Sequence, residues 1–136
     1  MASTFSQYKL ELMGTGDQSG TWGSTTNNNL GSSSSGTYRG IEQAIGGKGT
    51  VTFASATATL TLTDSNEDQV GRALYLDCGG NPGGPATLNV PAIQKMYIVD
   101  NGVGTTLTVQ ISGGSGVSIP NGFVVPALSW RLSCFN

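Results

Sequence analysis

From Val51 onward, apolar and polar residues alternate with a period of two. In the clearest segment, alanines and leucines occupy one parity and threonines the other: Ala56, Ala58, Leu60 and Leu62 against Thr57, Thr59, Thr61 and Thr63. Such alternation is typical of strands with one buried face. Turn-forming clusters at 79–85, 101–102, 113–116 and 120–122 separate the segments. The pattern predicts an all-β domain over residues 51–136, a small antiparallel β-sandwich or barrel of about seven or eight short strands.

The alternation changes sense near Ala54–Ser55. Val51 and Phe53 lie on the opposite parity from the apolar residues that follow them. A bulge or a break in the strand explains such a change. The final segment places Leu128, Trp130, Leu132 and Cys134 on one face, which predicts a last strand there.

Residues 1–50 have a different texture, rich in Gly, Ser, Thr and Asn. We expect them to form an extended arm with one short helix at 38–45, where Tyr38, Ile41 and Ile45 share a helical face. Thr37 is the candidate N-cap, and Gly46 the candidate left-handed C-cap. A turn of helix is also expected near 25–30. The arm is interpreted as an attachment and oligomerisation segment.

Composition excludes several functions. Charged residues make up 10% of the chain, the formal net charge is −2, and there is no histidine. Nucleic-acid binding needs a basic surface, which this balance does not provide. Triads and dyads that use histidine, and histidine metal ligands, are absent from the sequence. No apolar run is long enough to span a bilayer, and residues 1–7 do not resemble a signal peptide.

Three local motifs lack residues that the sites they resemble require. Glu67 and Asp68 are adjacent, which favours a solvated acidic turn over a paired-carboxylate catalytic site. Residues 64–75 have Gln69 and Tyr75 where a calcium loop has Gly and Glu. Residues 42–49 have Glu42 and Gly49 where a phosphate loop has Gly and Ser or Thr. We therefore predict a protein that is not an enzyme, with no cofactor and no metal.

The two cysteines leave two alternatives open. Cys78 and Cys134 form a disulfide, or both are small buried apolar residues. The strands carry few large apolar residues, so we expect part of the core to be shared between protomers of a homo-oligomer. Trp22 is a large side chain among small ones. It fills a pocket between protomers or on another protein, or it is an ordinary core residue.

The first half of the chain contains a distinctive succession of motifs. An apolar strand leads into Thr15-Gly16-Asp17, then Gly20-Thr21-Trp22-Gly23, then a Thr/Asn-rich stretch to Asn29-Leu30, and later Ile41-Glu42-Gln43-Ala44-Ile45. This succession resembles a module of tailed-bacteriophage virion proteins, particularly tail-fibre-like proteins of marine and cyanobacterial phages. Residues 90–101 and 117–122 resemble the second half of these proteins.

The resemblance implies a structural protein on the exterior of the virion, made in the host cytoplasm. It favours a tail fibre or tail-associated appendage, assembled as a homotrimer and contacting other virion proteins. A capsid decoration protein is the alternative, and a carbohydrate-binding module with a host-surface glycan as partner is a further one. Neither nucleic acid nor membrane insertion is expected. The assembly candidates are Asp17, Thr21, Trp22, Asn29, Leu30, Ile41 and Ile45.

Overall fold

The computed structural model describes residues 4–31 and 38–129. The chain is mostly β, with ten strands, two short helices and a 3-10 turn among these residues. In chain order they are β1 (Thr4–Phe5), β2 (Glu11–Leu12), α1 (Trp22–Leu30), α2 (Gly40–Gly46), β3 (Lys48–Phe53), β4 (Thr57–Thr59), the 3-10 turn (Val70–Arg72), β5 (Tyr75–Gly80), β6 (Ala86–Val90), β7 (Met96–Asn101), β8 (Leu107–Ile111), β9 (Val117–Ile119) and β10 (Val124–Leu128).

Strands β3 to β8 wind as a short solenoid. The chain alternates between two four-stranded sheets, whose orders are β10-β7-β5-β3 and β4-β6-β8-β9. Each successive pair, β3 with β4, β5 with β6 and β7 with β8, therefore makes one coil that stacks on the previous one. β9 and β10 then reverse direction and close the last coil, one in each sheet.

The prediction of antiparallel pairing is wrong for the coils. Neighbouring strands from different coils pair in parallel: β3 with β5, β5 with β7, β4 with β6 and β6 with β8. Only β1–β2, β10–β7 and β8–β9 are antiparallel among the described pairs. Alternation reports which face of a strand is buried, and it carries no information about the direction of the neighbouring strand. Here the crossover between parallel strands is a strand of the opposite sheet.

The hydrophobic core lies between the two sheets. Residues of alternate parity point inward from each strand, as the sequence predicts. One sheet contributes Val51, Phe53, Leu76, Cys78 and Val99, and the other contributes Leu88, Val90, Leu107, Val109 and Ile119. Cys78 is buried in this core, and Cys134 lies outside the described residues together with Trp130 and Leu132.

The predicted break near Ala54–Ser55 is confirmed. β3 ends at Phe53, and β4 begins at Thr57 in the opposite sheet. The change of parity is therefore the point where the chain passes from one sheet to the other.

The N-terminal region is not the extended arm that was predicted: its described residues pack against the rest of the chain, and they contain more helix than expected. α2 matches the predicted helix closely, but α1 is a second helix of nine residues where a single turn was expected. Gly40 allows the two helices to approach each other, because it adopts φ +58° and a Cβ there would lie 2.1 Å from the Asn29 carbonyl oxygen. Gly46 does not adopt the expected left-handed conformation; it ends the helix, and Gly47 follows with φ −75°. Thr37 lies outside the described residues.

Candidate assembly surface

The turn that contains Asp17 orders the start of α1. Gly16 and Gly20 both adopt positive φ, as expected for residues that bracket a tight turn. The Asp17 amide donates to the Gly14 carbonyl at 3.0 Å. Thr21 precedes α1, and its hydroxyl donates to the Gln18 side-chain oxygen at 2.9 Å. Both candidates therefore shape the turn.

Asn29 joins α1 to the β1–β2 hairpin. Its side-chain oxygen accepts from the Glu11 amide at 2.8 Å, and its nitrogen donates to the Glu11 carbonyl at 2.9 Å. Asn66 donates to the same Asn29 oxygen at 3.1 Å. The side chain pairs with the β2 backbone as a neighbouring strand would. Asn29 therefore makes contacts within the chain, and we call its two hydrogen bonds to Glu11 the Asn29 clamp.

The four apolar candidates are all exposed. Trp22 is 63% accessible, Leu30 54%, Ile41 39% and Ile45 68%. Trp22 is thus not a core residue of the single chain. α2 buries Gln43 and Ala44 and turns the isoleucine pair outward. A helix normally buries its apolar stripe, so this stripe is available to another molecule.

A second group of apolar side chains lies on the outer surface of the β10-β7-β5-β3 sheet. Cross-strand pairs align Leu128 with Met96 and Pro126 with Ile98. Ile45 and Met96 line the same shallow cavity of about 260 Å³, so α2 extends this group. We call the set the apolar outer face: Ile45, Met96, Ile98, Val124, Pro126 and Leu128. The sequence predicted Leu128 on the apolar face of a last strand, whereas the structure ends β10 at Leu128 and exposes this side chain. Nothing in the sequence pattern indicates that these strand residues lie beside α2.

A buried arginine holds the N-terminal region against the solenoid. The Arg72 side chain is fully buried and donates to backbone carbonyls of both the hairpin and the loop that precedes the 3-10 turn. Its acceptors are the carbonyls of Tyr8, Lys9, Ser65, Asn66 and Glu67 and the Gln43 side-chain oxygen. Burial lowers the pKa of Arg72, and the nearby Asp68 and Glu67 carboxylates oppose that shift. The sequence gives no signal for this role, since an isolated arginine is normally exposed.

Lys95 is the second buried cation. Its ammonium donates to the carbonyls of Ala44 at 3.3 Å and Met96 at 3.2 Å, and it lies 4.6 Å from the Tyr97 ring centroid. Burial lowers its pKa to about 8. Cation–π attraction and two carbonyls replace part of its lost hydration. This contact ties the end of α2 to β7.

The acidic turn is occupied by internal contacts. The Asp64 carboxylate accepts from Lys9 at 2.9 Å, both Glu67 oxygens accept from Arg39 at 2.9 Å, and Asp68 accepts from Gln43. Within the described residues, no cluster of Cys, Asp or Glu could hold a metal ion. No helix in the described part of the chain is long and apolar enough to cross a membrane.

A groove of about 670 Å³ runs between the hairpin and the end of the β4-β6-β8-β9 sheet. A ladder of uncharged side chains crosses that sheet beside it: Asn89 donates to Thr59 at 3.1 Å, and Gln110 donates to Asn89 at 3.1 Å. Strands of this sheet contain no charged residue.

Comparison with family models, curated proteins and solved structures finds no match to this chain.

Proposed function

We propose that this chain is a non-enzymatic structural protein of a tailed-phage particle, carried on its exterior as a homo-oligomer. The observation that carries the proposal is the exposure of large apolar side chains on a protein with few charges. Trp22, Leu30, Ile41 and Ile45 all belong to the motifs that resemble the phage module, and all face solvent. Each Å² of apolar surface removed from water contributes about 25 cal/mol, so such a surface favours association.

A tail fibre or tail-associated appendage is the location that the resemblance favours, with a trimer as the expected assembly. The apolar outer face supplies a surface for subunit contact, and Trp22 on α1 supplies a large exposed anchor. Aromatic anchors of this kind contribute much of the binding energy of protein interfaces. In the alternative, a capsid decoration protein, the same surfaces would bind the capsid shell.

Native mass spectrometry of the full chain tests the homo-oligomer. We expect a trimer that is lost in the double variant Val124→Ser/Leu128→Ser, because both side chains lie on the apolar outer face. Leu12→Ser is the matched control, since Leu12 is 51% exposed but lies on the hairpin. A monomeric wild type at micromolar concentration, or equal loss in the control, contradicts the proposal.

Immunogold labelling of intact virions separates the two locations. Label at the tail supports the appendage, and label spread over the head supports the decoration protein. Absence of label from every part of the particle contradicts both.

Neutral-glycan binding is a second candidate, favoured by the groove beside the Thr59–Asn89–Gln110 ladder. The strands of that sheet offer uncharged hydrogen-bonding groups, which suit hydroxyl-rich ligands. Glycan-array binding should weaken in Thr59→Val and persist in Thr57→Val, because only Thr59 lines the groove although both are exposed on β4. No binding across the array removes this candidate.

A further inference from the structure

The solenoid has two ends, and the strands at those ends differ. β3 lies at one end of its sheet and β10 at the other, and each pairs on one side only among the described residues. An edge strand exposes unpaired backbone groups that can pair with another chain. The question is which end is protected against such pairing.

Backbone hydrogen bonds show which amides and carbonyls of β3 point away from β5. Gly47 accepts from Tyr75, and Phe53 accepts from Asn81, so residues of odd number direct their backbone groups toward β5. In a parallel pair the intervening residues direct theirs the other way. The unpaired edge therefore consists of the amides and carbonyls of Lys48, Thr50 and Thr52, whose side chains are all exposed.

The opposite edge carries a proline at the equivalent position. Ser129 donates to Lys95, and Asn101 donates to Phe123, so odd residues of β10 face β7. Val124, Pro126 and Leu128 consequently direct their backbone groups outward, and the middle residue has no amide hydrogen. Proline at an edge blocks strand addition.

The β3 edge has no such protection. It contains no proline, and its one charged residue, Lys48, reaches back to the Asp77 carboxylate on β5 at 3.0 Å. Lysine guards an edge by projecting charge over it, and this ion pair draws the charge toward the interior of the sheet instead. β4, at the same end of the other sheet, is likewise free of proline and charge.

We propose that the β3 edge binds a second copy of this chain by antiparallel strand addition about a twofold axis. Centred on Thr50, the register places Thr50 opposite Thr50 and Lys48 opposite Thr52 of the second copy. No like charges meet, and opposed threonines are favourable cross-strand neighbours. The inference rests on the proposed homo-oligomer and adds a contact on a surface separate from the apolar outer face, so a wild type that uses both surfaces pairs two trimers into a hexamer.

Substitutions at Thr52 test the register through charge. In the twofold arrangement, residue 52 of each copy faces Lys48 of the other. Thr52→Lys therefore creates two repulsive Lys–Lys pairs, and Thr52→Glu creates two attractive Lys–Glu pairs. Each cross-strand pair changes the free energy by about 0.2–1 kcal/mol, so the dimer dissociation constant should rise or fall by about twofold to thirtyfold. Sedimentation velocity of the full chain in the Val124→Ser/Leu128→Ser background isolates this contact from the apolar outer face.

A cysteine at the centre of the register provides the second measurement. Thr50→Cys, in a background of Cys78→Ala and Cys134→Ser, should form a disulfide between copies, since opposed edge residues lie within bonding range. Thr87→Cys is the control, because Thr87 lies on β6 between two paired strands. Circular dichroism confirms that each variant is folded.

The outcomes separate this inference from the proposed function. Opposite shifts for the two Thr52 variants, with cross-linking at residue 50, support edge pairing. Equal shifts for Lys and Glu, no dimer in the background variant, or equal cross-linking at residue 87 overturns it. A trimer that persists in the wild type in those cases leaves the homo-oligomer proposal intact.

Discussion

The N-terminal region and the solenoid are stabilised by different chemistry. The solenoid encloses leucine, valine and phenylalanine side chains between two sheets, with Leu88 and Leu107 fully buried. The N-terminal region is fixed mainly by polar groups, above all the buried Arg72 guanidinium and the half-buried Asn29 amide. An apolar core tolerates small changes in geometry, whereas a buried charge must keep all its partners. A single polar network outside the core can therefore matter to stability as much as a core leucine does.

The largest effect is expected from Arg72→Leu. It removes the donor from carbonyls of Tyr8, Lys9, Ser65 and Glu67, leaving several buried acceptors unsatisfied. Each buried carbonyl left without a donor costs about 1–3 kcal/mol, and this substitution affects several carbonyls at once. Hydrogen exchange should show lost protection in the hairpin and α1 while β6 and β8 keep theirs.

Arg39→Leu is the control for that substitution, because Arg39 bonds only an exposed Glu67 carboxylate among the described ion pairs. The Arg39 side chain is 16% exposed but its Glu67 partner is 60% exposed, so loss of this one ion pair should cost less than loss of the Arg72 network. If Arg72→Leu lowers protection equally in both regions, then Arg72 does not stabilise the N-terminal region separately from the solenoid.

Leu88→Ala should destabilise the solenoid by about 2–5 kcal/mol, because a cavity opens between the sheets. Urea unfolding followed by tryptophan fluorescence and by circular dichroism measures the change. Both probes should shift together, since the N-terminal region has no support once the coils unfold. Structure that persists in the N-terminal region after the coils have unfolded would contradict this dependence.

Asn29→Ala should cost about 1–3 kcal/mol, since the Glu11 amide and carbonyl lose their partner. Asn27→Ala is the matched control on the same helix, where the residue is exposed, and a change within about 0.5 kcal/mol is expected there. Thermal unfolding of both variants provides the comparison. Equal destabilisation by the two variants would show that the Asn29–Glu11 hydrogen bonds do not contribute to stability.

The smallest effect is a pH dependence from Lys95. Its pKa is about 8 in the folded chain against 10.5 ordinarily, so both states bind the proton below pH 8. Between these values the unfolded chain holds more protons, and the free energy of unfolding therefore rises with pH. Burial raises the pKa of Cys78 from 9.0 to about 12, which opposes the rise above pH 9.

Urea unfolding at several pH values between about 7 and 9 measures this rise. The Lys95→Met variant should show none of it, because the titrating amine is gone. An unchanged pH dependence in that variant would assign the effect to another group.

The sequence predicted individual elements well. Alternation identified the strands from Thr57 to Ile119, and the change of parity at Ala54–Ser55 marked the passage between sheets. Glycine and proline clusters marked the turns, including one at Gly113, which adopts positive φ. These features depend on local geometry, so a local pattern is sufficient to predict them.

By itself the sequence determined a mostly β protein with few charges, two cysteines and a short helix ending near Gly46. Only the tertiary structure decided that the strands stack in parallel coils, that α2 buries Gln43 and exposes Ile45, and that Arg72 is enclosed. Each of these depends on which distant segment lies alongside. Periodicity records whether a side chain is buried, and the identity and direction of its neighbours follow only from how the whole chain packs.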